Sequence, residues 1–107
     1  MTRVPIACTL TADAALDRIA EWKAFLSTMV HRLEKRTNQA TLTLRGGSDV
    51  LLMITDLAER EKACCPFFEF SIEWDGVESR LHVEVPNEAG PILTELLQLV
   101  PAQLQPD

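Results

Sequence analysis

Residues 68–85 read FEFSIEWDGVESRLHVEV. Phe68, Phe70, Ile72 and Trp74 alternate with Glu69, Ser71 and Glu73, and Leu81, Val83 and Val85 alternate with Arg80, His82 and Glu84. A period of two marks a strand with one buried and one solvated face. Asp75-Gly76 between the runs is a strong hairpin signal, because glycine supplies the positive φ of a tight turn. Pro86-Asn87 ends the second run. The apolar face of this pair requires a second layer, and the remaining sequence supplies helices for it.

Upstream, Val4, Ile6, Cys8 and Leu10 alternate with Pro5, Ala7 and Thr9, which predicts a strand at an edge or a start because of Pro5. Thr11 or Asp13 caps a helix predicted to run to about Arg36, with Leu16, Ile19, Trp22, Leu26, Met29, Val30 and Leu33 at three- and four-residue spacing. Arg32, Glu34, Lys35 and Arg36 form its solvated end, and Thr37-Asn38 is a turn. Ala40, Leu42 and Leu44 predict another strand. Gly46-Gly47-Ser48 breaks it, and Ser48 or Asp49 caps a helix burying Val50, Leu51, Ile54, Leu57 and Ala58. Pro66 disfavours helical geometry at Cys65 and stops that helix at the cysteines. Ile92, Leu93, Leu96, Leu97 and Val100 predict a last helix with Pro91 in its first turn, followed by a loose tail over 100–107. The expected fold class is α+β in the order β-α-β-α-β-β-α. One domain carries a mixed or antiparallel four-stranded sheet covered on one face by helices.

The length of 107 residues, 47% hydrophobic and 24% charged content fit one globular domain. A net charge of −6 argues against nucleic acid, which requires a basic surface, and against an anionic membrane surface. No apolar run approaches the ~20 residues of a membrane span. The N-terminus lacks a signal-peptide layout, so a cytoplasmic location with reduced cysteines is expected. Four short strands leave edges to cover, which makes a homodimer an open expectation.

Glu61-Lys62-Ala63-Cys64-Cys65-Pro66-Phe67-Phe68 holds the chemistry. Adjacent cysteines close only a strained ring with each other, but they present two soft ligands or two redox partners at one point. Their place at a helix C-terminus, where the dipole opposes negative charge, suits capture of a soft ion better than self-activation. Cys8, inward on its predicted strand, is the candidate third sulfur. Cys8, Cys64 and Cys65 would suit Hg(II), As(III) or Cu(I), whereas zinc would want a fourth ligand from His31, His82 or Glu61. Glu61 stands three and four residues before the cysteines and can serve as an outer-shell partner, or as acid–base beside a catalytic Cys64 or Cys65. Trp22, Phe67 and Phe68 are candidates for an apolar pocket, with Phe68, Phe70 and Trp74 otherwise assigned to the core and Phe67 out of phase. Three readings follow: a soft-metal or metalloid site, a thiol enzyme, and a small-molecule or partner-binding module with structural cysteines.

Ile6-Ala7-Cys8-Thr9-Leu10-Thr11, Glu21-Trp22-Lys23-Ala24-Phe25-Leu26 and the segment from Glu61 to Phe70 together resemble a family of small bacterial domains with an E-x-x-C-C-P-F core. Similar segments occur as extensions of MerR-type regulators. The resemblance spans nearly the whole chain and implies a compact α+β domain in which Cys8 and the Cys64–Cys65 pair recur together. It also suggests a link to heavy-metal response. The regulators' DNA-binding helix-turn-helix has no counterpart in this sequence.

Overall fold

A computed structural model of the chain describes residues 12–105. The elements are α1 (Ala12–Met29), β1 (Val30–Arg36), β2 (Gln39–Leu44), α2 (Ser48–Cys64), β3 (Glu69–Trp74), β4 (Ser79–Glu84) and α3 (Gly90–Leu97), with single 3-10 turns at Asn87–Ala89 and Ala102–Leu104. The four strands form one antiparallel sheet in the order β1-β2-β4-β3. The fold is α+β, as the sequence predicts. The strand expected over Val4–Leu10 lies outside the described residues.

The sheet's inner face carries Val30, Leu33, Ala40, Leu42, Leu44, Leu81 and Val83. These join Trp22, Phe25 and Leu26 of α1, Val50, Ile54 and Leu57 of α2, and Leu93 and Leu97 of α3 in one core. The other face is polar, with Thr41, Ser71, Glu73, Arg80 and His82 on it. Helices on one side and a polar face on the other account for the two-residue alternation of the strands.

The first helix differs from expectation: it ends at Met29, and Val30–Arg36 is a strand. The physical reason is a β-bulge. Val30 pairs with Leu44 and Leu33 pairs with Leu42, with the register slipping between Val30 and Arg32. One extra residue in a strand returns position i+3, not i+2, to the same face. The spacing of Val30 and Leu33 therefore imitates a helical stripe while both side chains point into a sheet core. Thr28 Oγ1 donates to Ala24 O at 2.8 Å, a back-bond that weakens a helix near its end. Leu16 and Ile19, expected on the buried stripe, are 66% and 51% exposed. The buried stripe runs instead through Trp22, Phe25 and Leu26.

Helix α2 begins at Ser48 after Gly47, with no side-chain cap. Gly46 has φ +95°, and a Cβ there would collide with Cγ2 of the buried Val50. Positive φ and close approach both require glycine at this corner. We expect Gly46→Ala to destabilise the domain by ~2–4 kcal/mol, from backbone strain plus overpacking. Urea unfolding would check this, and a midpoint equal to wild type would remove the steric account.

The β3–β4 hairpin closes over Asp75–Glu78, with Gly76 at φ +93°. Asp75 Oδ1 accepts from the amides of Val77 at 2.9 Å and Glu78 at 2.8 Å, and Asp75 Oδ2 accepts from Arg80 Nη2 at 2.8 Å. The Glu78 amide, the Arg80 guanidinium and the Val77 amide hold the Asp75 carboxyl well below its ordinary range. In acid, the unfolded chain therefore protonates Asp75 before the folded one does. The contribution of Asp75 is complete above about pH 4 and is lost as pH falls through the depressed folded value. Urea midpoints measured from neutral pH into acid should fall more steeply for wild type than for Asp75→Ala. Parallel curves would contradict this.

The last segment, expected to be loose, is tied down as far as Gln105. Val100 is buried, and Gln105 Nε2 donates to Leu97 O at 2.6 Å and Val100 O at 2.9 Å.

Candidate metal centre

Val50, Ile54, Leu57, Ala58, Glu61 and Cys64 form the buried stripe of α2. Spacing of three and four residues carries the stripe straight into a carboxylate and a thiol. Glu61 is 8% exposed, so the helix buries a charged group where a hydrophobe would ordinarily sit. Such a group requires partners. Trp22 Nε1 donates to Glu61 Oε1 at 2.7 Å. Arg18 Nη1 lies 3.5 Å from the same oxygen and donates to Cys64 Sγ at 3.4 Å. Arg18 and Trp22 are one turn apart on α1, so one helix face presents a cation and an indole donor to the end of another.

Cys64 Sγ donates to Arg60 O at 3.3 Å, within its own helix. Cys65 caps the helix: its amide donates to Glu61 O at 2.7 Å, and its φ of −128° and ψ of 75° leave the helical region ahead of Pro66. Phe68 N then donates to Cys65 O at 3.2 Å. Lys62 Nζ donates to Pro66 O at 2.8 Å and Glu69 Oε1 at 2.9 Å, fastening the turn to α2 and β3. Arg60 is held by Glu21 and Asp56. The two basic residues nearest the cysteines in sequence are thus engaged elsewhere, and among the described residues the cation at the Cys64 sulfur is Arg18.

Cys64 Sγ and Cys65 Sγ are 3.8 Å apart. Both residues are buried, at 7% and 4% exposure. Cys64 is a free thiol, whereas Cys65 is disulfide-bonded. Cys8, the chain's other cysteine, lies outside the described residues. One ligand atom each from Glu61, Cys64 and Cys65 falls within 4.8 Å of the others, all three residues buried. Bonds of ~2.3 Å to one ion at a near-tetrahedral angle place two sulfurs ~3.8 Å apart, whereas a linear arrangement needs ~4.6 Å.

The histidines weighed as zinc ligands stand elsewhere. His31 sits in the β1 bulge, 3.8 Å from a Glu78 oxygen. His82 lies on the polar face of the sheet, with Nδ1 3.1 Å from Thr41 Oγ1 and Nε2 3.0 Å from Glu73 Oε1. Trp22, Phe67 and Phe68 are packed at 2–4% exposure, while Trp74, expected in the core, is 60% exposed. Trp22 stacks on Phe70 at 6.0 Å, Phe70 on Phe68 at 5.3 Å, and Phe68 meets Phe67 at 4.7 Å. This aromatic row meets the site at Trp22, whose indole donates to Glu61. The neighbouring cleft of about 460 Å³ runs between α2 and β3 and is lined by Ala58, Lys62, Ala63, Phe70 and Ile72.

Arg18 was not among the residues the sequence singled out. Its signal was present: stepping back four residues from Trp22 along the stripe reaches Arg18, a charge on a buried face. Among the described residues no helix is long and apolar enough to cross a membrane. No family model matches the chain, and neither a curated protein nor a solved structure does.

Proposed function

We propose that the protein, in its reduced form, binds a soft metal or metalloid ion of the Hg(II), As(III) or Cu(I) type through Cys64 and Cys65. Glu61 supplies an oxygen close to the ion, and Cys8 is the remaining sulfur that could join them. The observation that carries the reading is the burial of Glu61, Cys64 and Cys65 with their ligand atoms within 4.8 Å of one another. Packing alone gives no reason to place a carboxylate on the core stripe beside adjacent thiols. Two thiolates select soft ions over magnesium or calcium, and a bound ion removes the thiol protons outright. The resemblance to extensions of MerR-type regulators agrees with a role in heavy-metal response. Fully reduced protein titrated with Hg(II) against a competing thiol should take up one ion per chain. Equal uptake by Cys64→Ser/Cys65→Ser would end the proposal.

The contact of Arg18 with Cys64 favours a second reading, a thiol-dependent enzyme. A guanidinium 3.4 Å from a buried sulfur is an environment in which nucleophilic cysteines are found. This reading predicts that Arg18→Gln slows alkylation of Cys64 by iodoacetamide at neutral pH by ~10-fold or more, while the soft-ion reading needs no such change.

A further inference from the structure

The polar face of the sheet, on the side away from the helices, holds a second cluster. Thr41, His82 and Ser71 stand in one row across β2, β4 and β3, with His82 paired to both neighbours. His82 Nδ1 is 3.1 Å from Thr41 Oγ1, and His82 Nε2 is 3.0 Å from Glu73 Oε1. Arg80 Nε donates to that same Glu73 oxygen at 3.1 Å. The bonds from His82 and Arg80 hold the Glu73 carboxyl below its ordinary range, so it stands as a carboxylate. A carboxylate only accepts, so Nε2 carries a proton toward Glu73. In the neutral ring Nδ1 then turns a lone pair to Thr41, whose hydroxyl donates to it. A hydroxyl on an imidazole that a carboxylate orients is the arrangement of a nucleophile, its base and the group that positions the base.

We infer that Thr41, His82 and Glu73 form a hydrolytic site for small carboxylic esters, with Thr41 as nucleophile, His82 as general base and Glu73 as the positioning residue. This activity is independent of the soft-ion reading. A cavity of about 350 Å³ opens over the row, lined by Thr41, His82, Ser71, Glu69 and Glu84 among others, a volume that suits a small ligand. Ser71, across His82 from Thr41, brings an O–H donor for the carbonyl oxygen. One row along the strands Glu84 faces Glu69. Gln39 Nε2 donates to Glu84 at 2.7 Å, and Lys62 Nζ donates to Glu69 at 2.9 Å. One cation thus stands against two carboxylates, ~7 Å from the reacting row, which favours an ester whose alcohol carries a positive charge. Thr41 Oγ1 attacks the carbonyl carbon while its proton passes to His82 Nδ1. The bond to the alcohol oxygen then breaks, and the alcohol leaves with that proton. Water attacks the acyl-Thr41 ester in the same way, gives a proton to Nδ1, and the carboxylic acid departs as Thr41 recovers its hydrogen.

Acetylcholine and its uncharged isostere 3,3-dimethylbutyl acetate are the probes, with acid release followed by pH-stat. The wild-type chain should hydrolyse acetylcholine at least ~100-fold faster than buffer, the usual contribution of a placed base. Its kcat/KM should exceed that for the isostere ~5-fold, the worth of an exposed charge pair. Thr41→Val keeps the branched shape that suits a strand and should bring the rate to background, while Thr41→Ser restores the hydroxyl and most of the rate. Glu73→Gln should lower kcat ~10-fold or more with KM little changed, since it acts through His82 and not on the ester. Diisopropyl fluorophosphate should phosphorylate Thr41, its phosphorus bonding the oxygen with loss of fluoride. The chain contains no tyrosine, so peptide mass spectrometry locates the adduct among serines and threonines. Turnover by folded Thr41→Val equal to wild type, or an adduct on another residue, would overturn the site. So would folded wild type that hydrolyses neither ester above buffer. Equal kcat/KM for the two esters would overturn the preference for a charged alcohol alone.

Discussion

Trp22→Ala is expected to cost ~3–5 kcal/mol in urea unfolding, the usual range for removing a buried tryptophan. Trp22 is 2% exposed, stacks on Phe70 and joins α1 to the sheet core. It also donates to the buried Glu61, at 2.7 Å from Nε1 to Oε1. Trp22→Phe separates these contributions. It keeps most of the apolar volume and removes the indole N–H, so its expected cost is ~1.5–3 kcal/mol, that of a hydrogen bond to a charged group. A domain of this size has ~5–15 kcal/mol of stability, so the alanine variant approaches the unfolding threshold while the phenylalanine variant stays folded. Trp74 is the internal control. It is 60% exposed, and Trp74→Phe should fall within ~0.5 kcal/mol of wild type. If Trp22→Phe matches wild type as well, the bond to Glu61 does not stabilise the fold.

Glu61 was legible in the sequence because its spacing from Leu57 and from Cys64 is helical. A carboxylate on that stripe has either to break it or to be buried with partners. Which partners it finds was not legible. Arg18 and Trp22 lie roughly 40 residues away in the chain and meet Glu61 only through the packing of α1 against α2. The β3–β4 hairpin was legible because turn chemistry and alternation agree over the whole segment. Strand β1 was not, because the bulge at His31 converts a two-residue period into a three-residue step. A helical pattern of one or two turns and a bulged strand share that spacing. What separates them is the pairing of Val30 with Leu44 and of Leu33 with Leu42, which is long-range information. The position of Trp74 has a similar cause: it is last in an outer strand, beyond the reach of the helices that cover Phe70.

For the reduced protein, Cys64→Ser should weaken soft-ion binding at least ~100-fold, or ~2.7 kcal/mol, and this is the largest functional effect expected of a single substitution. A serine hydroxyl is a hard ligand that does not give up its proton to Hg(II) or As(III), so the pair becomes a single thiol. Its shape is nearly that of cysteine. It can still donate to Arg60 O as Cys64 does at 3.3 Å, so stability should change by less than ~1 kcal/mol. Glu61→Gln tests the oxygen in the same assay. Its amide oxygen can still accept from Trp22, so the fold is kept while the negative charge is removed. A loss well below that of Cys64→Ser places the carboxylate beside the ion in a supporting role. A loss as large as that of Cys64→Ser makes Glu61 a ligand in its own right. Either result leaves the sulfurs as the site's centre only if Cys64→Ser fails to bind. If Cys64→Ser holds the ion as tightly as wild type, the two adjacent thiols are not a chelate, and the buried charge of Glu61 serves the helix packing alone.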